Sequence, residues 1–297
     1  MTADLAAFVE RSLDRPVPDF VRAAVGALVA EDGRALAVLF YGSNLRTGSA
    51  DGVLDFYVLR EGPVERGIWP RVGYRELPHE GGVLRMKLAT MPLATFARAA
   101  AARTIDTTIW TRFVQPAALV WSRDRQAAER TRAAVGAAGV SAARFAAALG
   151  PERGQAEDYW RALFAETYAA EFRVERRGRS DTIVAHDPDR YARLLPLAWT
   201  AGGVGFATDD GMLVPALSPA ERASLRRAWG RRRRAGKPLN LLRLARAAFT
   251  FDGAARYGAW KIERHTGVAV EITPWRERHP LLAAPGVLWR VWRAGKA

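Results

Sequence analysis

The stretch Ala35 to Leu59, ALAVLFYGSNLRTGSADGVLDFYVL, decides the fold. Ala35 to Tyr41 is an unbroken apolar run, the pattern of a strand buried on both faces. It stops at Gly42-Ser43, and a polar turn with further glycine and serine follows. Val53 to Leu59 is a second apolar run, with one acid, Asp55, inside it. A carboxylate in such a strand is costly to bury unless a cation or a metal meets it. Gly42 lets the backbone approach a phosphate closely, and Ser43 offers both an N–H and a hydroxyl. Eleven residues separate Ser43 from Asp55. A phosphate cradle on one strand end and a magnesium ligand on the neighbouring strand suit a nucleoside triphosphate. The competing reading is a strand–turn–strand with an incidental aspartate.

Working outward, Pro18 to Ala30 has helical periodicity, with Phe20, Val21, Ala24, Val25, Leu28 and Val29 on one face. Val83 to Thr90 alternates as a strand does, Leu84, Met86 and Leu88 on one side and Arg85 and Lys87 on the other. Ala118 to Ser122 reads as a fourth strand. Beyond Asp124 strand signals fade and alanine-rich helices follow. A long helix is expected from Gln155 to about Glu175, with Trp160, Phe164 and Tyr168 repeating every four residues. Glu171 falls on that inward stripe, where an arginine, a metal or a raised pKa must satisfy it. Ser218-Pro219-Ala220-Glu221 is a capping-box helix start. That helix runs into WGRRRRAGK, a basic stretch expected to be broken by Gly230 and Gly236. The plan is an α/β unit over residues 1–125 and a mainly helical domain over residues 126–297.

Composition narrows the function. The 297 residues are 49% hydrophobic and 26% charged, ordinary for a folded globular chain. There is no cysteine, which excludes disulfides, thiolate metal sites and a cysteine nucleophile. His79, His186 and His279 are scattered and make no zinc spacing. A bilayer span needs about 20 apolar residues, far more than any run here. No signal peptide is visible, so a cytoplasmic protein, free or surface-bound, is expected. Forty-five Lys and Arg against 31 Asp and Glu give a net charge of +14, with lysine only at 87, 237, 261 and 296. Such a surface attracts phosphates, whether on nucleotides, nucleic acid or anionic lipid.

The Gly-Ser turn followed by a strand acid resembles the DNA polymerase β nucleotidyltransferase superfamily, except that Tyr57 stands where that pattern has a second acid. YGS…LDFYVL is closer to the Gly-Ser and Asp-Phe pattern of the mitochondrial translocator assembly and maintenance family, the phosphatidate cytidylyltransferases. Later pieces resemble that family in order: VLRMKLAT with Lys87; TRFVQPAALVW with Arg112, Gln115 and Pro116; TYAAEFR with Tyr168, Glu171 and Arg173; and LARAAFTFDGAARYGAWKIERH with Thr250, Tyr257 and Lys261. Glu171 replaces an aspartate and Phe251 an alanine, so the chain resembles a divergent bacterial-type member.

The resemblance implies an α/β (α+β) fold, a nucleotidyltransferase-like mixed sheet with helices and then a mainly helical domain. It implies Mg²⁺-dependent transfer of CMP from CTP to phosphatidate or another lipid phosphate, giving a CDP-lipid and pyrophosphate. Ser43, Asp55 and Glu171 would be catalytic, with Asp55 and Glu171 on the metal. Gly42, Ser43, Lys87, Arg112 and Gln115 would hold the nucleotide, and Arg173 and Lys261 the lipid or its phosphate. Read from the residues themselves, Arg264 in KIERHTG is a further phosphate candidate, with a helix end capped by Gly267 the competing reading, and Trp289 and Trp292 of the tail are lipid candidates. The C-terminal HPLLAAPGVLWRVWRAGKA mixes tryptophan, aliphatic and basic residues. It reads either as a segment lying on the anionic inner face of a membrane or as a helix docked on the core. Two alternatives stay open: the same transfer to another lipid, RNA, protein or small molecule, and a non-catalytic nucleic-acid binder. No recognised nucleic-acid module supports the last, so no stable nucleic-acid partner is expected.

Overall fold

The computed structural model describes residues 1–80, 82–170 and 179–278, and positions 282, 283, 286 and 289. The fold is mixed α/β. Its five-stranded sheet comprises β1 (Ala35–Tyr41), β2 (Leu54–Arg60), β3 (Arg71–His79), β4 (Gly82–Pro92) and β5 (Ala117–Ser122), in the order β3-β4-β2-β1-β5. The two apolar runs form β1 and β2, inner strands paired antiparallel with each other. β5 closes one edge antiparallel to β1, β4 runs parallel to β2, and β3 is the far edge, antiparallel to β4. Pro78 sits in β3, where an edge strand tolerates the missing N–H.

The pleat divides the side chains between two cores. Val38, Phe40, Leu54, Phe56, Leu84 and Met86 pack beneath α2 (Asp19–Glu31), against its Val21, Ala24, Val25 and Leu28. Leu39, Tyr57, Leu59, Ala89 and Met91 face the other way. There they meet α1 (Ala3–Leu13), α4 (Leu93–Ala100), α5 (Thr108–Phe113) and α6 (Arg125–Leu149). α3 (Ser43–Thr47) is the short helix between β1 and β2.

This second core is continuous with the helical half of the chain, running from Leu5 to Trp229. The alanines of α6 let it lie close to α7 (Ala156–Ala170) and α9 (Pro188–Ala201), with α8 (Arg179–Ala185) between them in sequence. A hairpin, β6 (Phe206–Asp209) and β7 (Met212–Pro215), follows in a region where no strand was expected. α10 (Pro219–Thr250) then begins with the expected capping box, Ser218 and Glu221 bonding reciprocally. It does not break in the basic stretch but continues through Gly230, Gly236 and Pro238 for 32 residues. Gly236 serves close approach: a Cβ there would lie 2.4 Å from the carbonyl oxygen of Ala170 at the end of α7. The side chains of Trp229, Arg232 and Arg243 pin α10 across the molecule, to Glu166, to the carbonyls of Ala102 and Thr104, and to Asp106. α11 (Ala254–Thr266) and α12 (Pro274–Arg278) complete the described elements, α11 ending at left-handed Gly267 as its spacing predicts. No helix among the described residues is long and apolar enough to cross a membrane.

Candidate functional site

The turn after β1 is built on Gly42, whose φ of 94° and ψ of −161° belong to a region essentially closed to residues with a Cβ. A Cβ at this position would lie 3.1 Å from Oδ2 of Asp55. The Gly-Ser turn and the strand acid therefore meet, as the sequence spacing requires. Ser43 is exposed, its hydroxyl donating to Asn44 Oδ1 at 3.3 Å. Asn44 is buried, and its Nδ2 donates to the carbonyls of Ser49 (2.9 Å) and Asp51 (2.7 Å), folding the loop back onto the turn.

Register places the charged groups in one row across the sheet. Asp55 lies opposite Tyr41 of β1 and Lys87 of β4, and Lys87 lies opposite Tyr74 of β3. Asp55 makes no hydrogen bond and no ion pair within 4 Å among the described residues. Burial raises its pKa, against the opposing fields of Lys87 and Arg112. Arg112 comes from α5, its Nη1 donating to the Tyr41 hydroxyl at 3.1 Å and its guanidinium over the rings of Tyr41 (5.1 Å) and Tyr57 (5.9 Å). Burial raises the pKa of both tyrosines, so they stay neutral hydroxyls. Tyr57, which stands where a second acid occurs in polymerase-type sites, serves here as a platform for the arginine.

α11 brings two more cations to the far side of this row. Tyr74 N donates to Asp252 O at 2.8 Å and Arg75 pairs with Asp252 at 2.7 Å, which fixes the start of α11 against β3. Tyr257 then packs on Tyr74, with centroids 5.4 Å apart, and the Lys261 ammonium lies 4.9 Å from the Tyr257 ring centroid. Arg264 sits over Trp260, and its Nη1 is 3.1 Å from the place of a Cβ on Gly52, in the loop leading to β2.

Of the expected residues, the structure brings Gly42, Ser43, Asp55, Lys87 and Arg112 together, with Lys261 and Arg264 on the α11 side. Gln115 turns its amide back to Thr111 O at 3.0 Å and lines a separate narrow cleft with Phe8, Ser12 and Arg190. Trp289 is an exposed helical residue. Glu171, Arg173 and Trp292 lie outside the described residues, as does the end of the helix expected to reach Glu175. Among the described residues no three Asp, Glu or His side chains cluster to hold a metal. One carboxylate is still a fitting start, because Mg²⁺ is commonly bound by one or two carboxylates together with substrate phosphates and water. Asp55, partly buried and without a partner among the described residues, is suited to that task.

Sequence reasoning missed three supporting parts. Tyr41 is the last apolar residue before the turn, and nothing in the pattern marks its hydroxyl as the seat of Arg112. Asn44, a polar residue directly after Gly-Ser, carried a readable turn signal. Asp106 and Arg243, an ion pair at 2.9 Å behind Tyr57, are 137 residues apart and carry no local signal. No family model matches the chain, and no curated protein matches it.

Proposed function

We propose that this chain is a nucleotidyltransferase that moves CMP from CTP to a lipid phosphate, phosphatidate in the first instance, at the anionic inner surface of a membrane. The observation that carries the reading is Asp55, a carboxylate with no hydrogen bond or ion pair among the described residues, packed against Gly42 of the Gly-Ser turn with Lys87 beside it in register. A carboxylate in that state, ringed by cations that do not bond to it, is best accounted for by a metal-bound anionic ligand. The likeness of YGS…LDFYVL and the four later segments to phosphatidate cytidylyltransferases supports the same choice.

Asp55 would hold Mg²⁺, which when bound supplies charge neutralisation on the triphosphate. Lys87 and Arg112 attract and orient the phosphates, and Tyr41 and Tyr57 hold the Arg112 guanidinium in a fixed place over their rings. Ser43 offers its hydroxyl and N–H at the mouth of the turn. Lys261 and Arg264 supply positive charge where the second, acceptor phosphate would enter. The acceptor oxygen attacks the α-phosphorus of CTP, a new P–O bond forms, and the bond to the bridging oxygen of pyrophosphate breaks. A phosphomonoester has its second pKa near ~6 and is largely ionised at neutral pH. No general base is then needed, which accords with Tyr57 in place of a second acid. Catalysis rests on positioning and on stabilising charge.

The test is incubation with CTP radiolabelled at the α-phosphorus, Mg²⁺ and phosphatidate liposomes. Label passing into the organic phase with the wild type and not with Asp55→Ala supports the reading. Label on RNA, on protein or on a soluble phosphate ester keeps the transfer and changes the acceptor. No transfer to any of these removes the enzyme.

A further inference from the structure

Leu241, Leu242 and Leu244 of α10 are 68%, 51% and 58% exposed. They surround Arg243, which points inward: its Nε donates to Trp69 O at 3.1 Å, its Nη1 to Thr108 Oγ1 at 2.8 Å, and its Nη2 pairs with Asp106 at 2.9 Å. With about 100° between successive helical residues, the leucines occupy the arc opposite Arg243, Leu241 at its centre. Arg234 and Lys237, one to two turns earlier, fall in the same outward arc, and both are exposed. α10 as a whole carries ten basic residues and a single acid, Glu221, in its first turn. The inward clamp fixes which way the leucines face, so they cannot turn into the core.

Grouped leucines held in water with arginine and lysine beside them have the composition of an element that lies at the boundary of an anionic bilayer. A neutral protein groove would complement the leucines but not the charge. We infer that the outward face of α10, Leu241, Leu242 and Leu244 with Arg234 and Lys237, docks on an anionic lipid surface, the leucines entering the headgroup boundary. This deepens the lipid reading above and rests on it, and it assigns the contact to the middle of α10 and not to the terminal tail. The docking turn lies back to back with the start of α5, the helix that carries Arg112, so the face that meets lipid and the helix that lines the site share one anchoring ion pair.

The experiment is co-sedimentation of the full chain with phosphatidylcholine vesicles, with and without phosphatidylglycerol, in the absence of nucleotide and of phosphatidate. Binding is expected to the anionic vesicles and to fall with salt. The combined Leu241→Ser, Leu242→Ser, Leu244→Ser variant should lower partitioning on the order of a hundredfold. Arg234→Gln with Lys237→Gln should lower it roughly tenfold or more. Both variants should melt as the wild type does, because the altered side chains are exposed. A wild type that ignores anionic vesicles, or a triple serine variant that binds them as well as the wild type, overturns the inference. So does loss of binding on deletion of residues 279–297, which places docking in the tail. A dimer that the serine substitutions dissociate without touching vesicle binding assigns the face to a second copy of the chain. Because the vesicles contain no acceptor, docking is read apart from transfer, and intact docking with no label transferred in the CTP assay above counts against the catalytic reading alone.

Discussion

Asp55 and Asp106 are two acids set around the same helix, α5, and the protein treats them in opposite ways. The Asp106 side chain is 7% exposed: its Oδ1 accepts from Thr108 at 2.7 Å and pairs with Arg243 at 2.9 Å, while Oδ2 is buried without a hydrogen bond among the described residues. Asp55 has Lys87 and Arg112 in its field and bonds to neither. The first carboxylate is spent on architecture, tying α10 to the sheet domain. The second is kept from its neighbours by register and by the stacking of Arg112 on Tyr41 and Tyr57, and so remains available to a ligand. Proximity of a cation is common to both; bonding geometry separates them.

The largest expected effect breaks the comparison at Asp55. Asp55→Ala should lower label transfer from CTP by about a thousandfold or more, the scale of losing a central charge-stabilising group, while circular dichroism stays native and the fold still melts cooperatively. Transfer within a factor of ten of wild type would take Asp55 out of the chemistry. At Asp106 the pattern should invert. Asp106→Ala leaves Arg243 buried without its partner and should cost about 3 kcal/mol or more of stability, read as a lowered denaturation midpoint. A native midpoint would show that the pair contributes little. Gly42→Ala tests the junction itself: a backbone at φ 94° and a Cβ 3.1 Å from Oδ2 of Asp55 should cost about 1–3 kcal/mol and weaken CTP binding together with stability.

The smallest effect sharpens the comparison through pH. Burial raises the folded pKa of Asp55 above its ordinary 3.8, so the folded state holds this proton more tightly than the unfolded chain does. Stability therefore falls as pH climbs from about 4 through the raised pKa. Asp55→Asn removes that loss. The variant should melt above the metal-free wild type at pH 7, and the two should converge near pH ~3. A wild type that melts above Asp55→Asn at pH 7 would mean that the carboxylate is already stabilised by a cation of the protein, as Asp106 is by Arg243.

Much of the site's frame was legible in the chain. β1 and β2 are apolar runs, β4 alternates, and Asp55 sits where burial demands an explanation. The helix cap at Ser218 and the stop at Gly267 are local signals that the structure repeats. What escaped was non-local or masked by composition. β3, RVGYRELPH, mixes charge, glycine and proline because an edge strand faces water. The β6–β7 hairpin is only four residues a side, although its Asp210-Gly211 turn is a readable hairpin signal. α10 survives three helix-weakening residues because Trp229, Arg232 and Arg243 anchor it from both sides of them. Tertiary support of that kind leaves no trace in a local window.

The central claim is that the Gly42-Ser43 turn and Asp55 together grip a metal-chelated triphosphate. Calorimetric titration of the wild type and Asp55→Asn with CTP, each with and without Mg²⁺, tests it most directly. The account predicts binding that needs both Mg²⁺ and the carboxylate, so that only the wild type with metal gives a titration curve. Equal affinity of the two proteins for CTP in the presence of Mg²⁺ would contradict it.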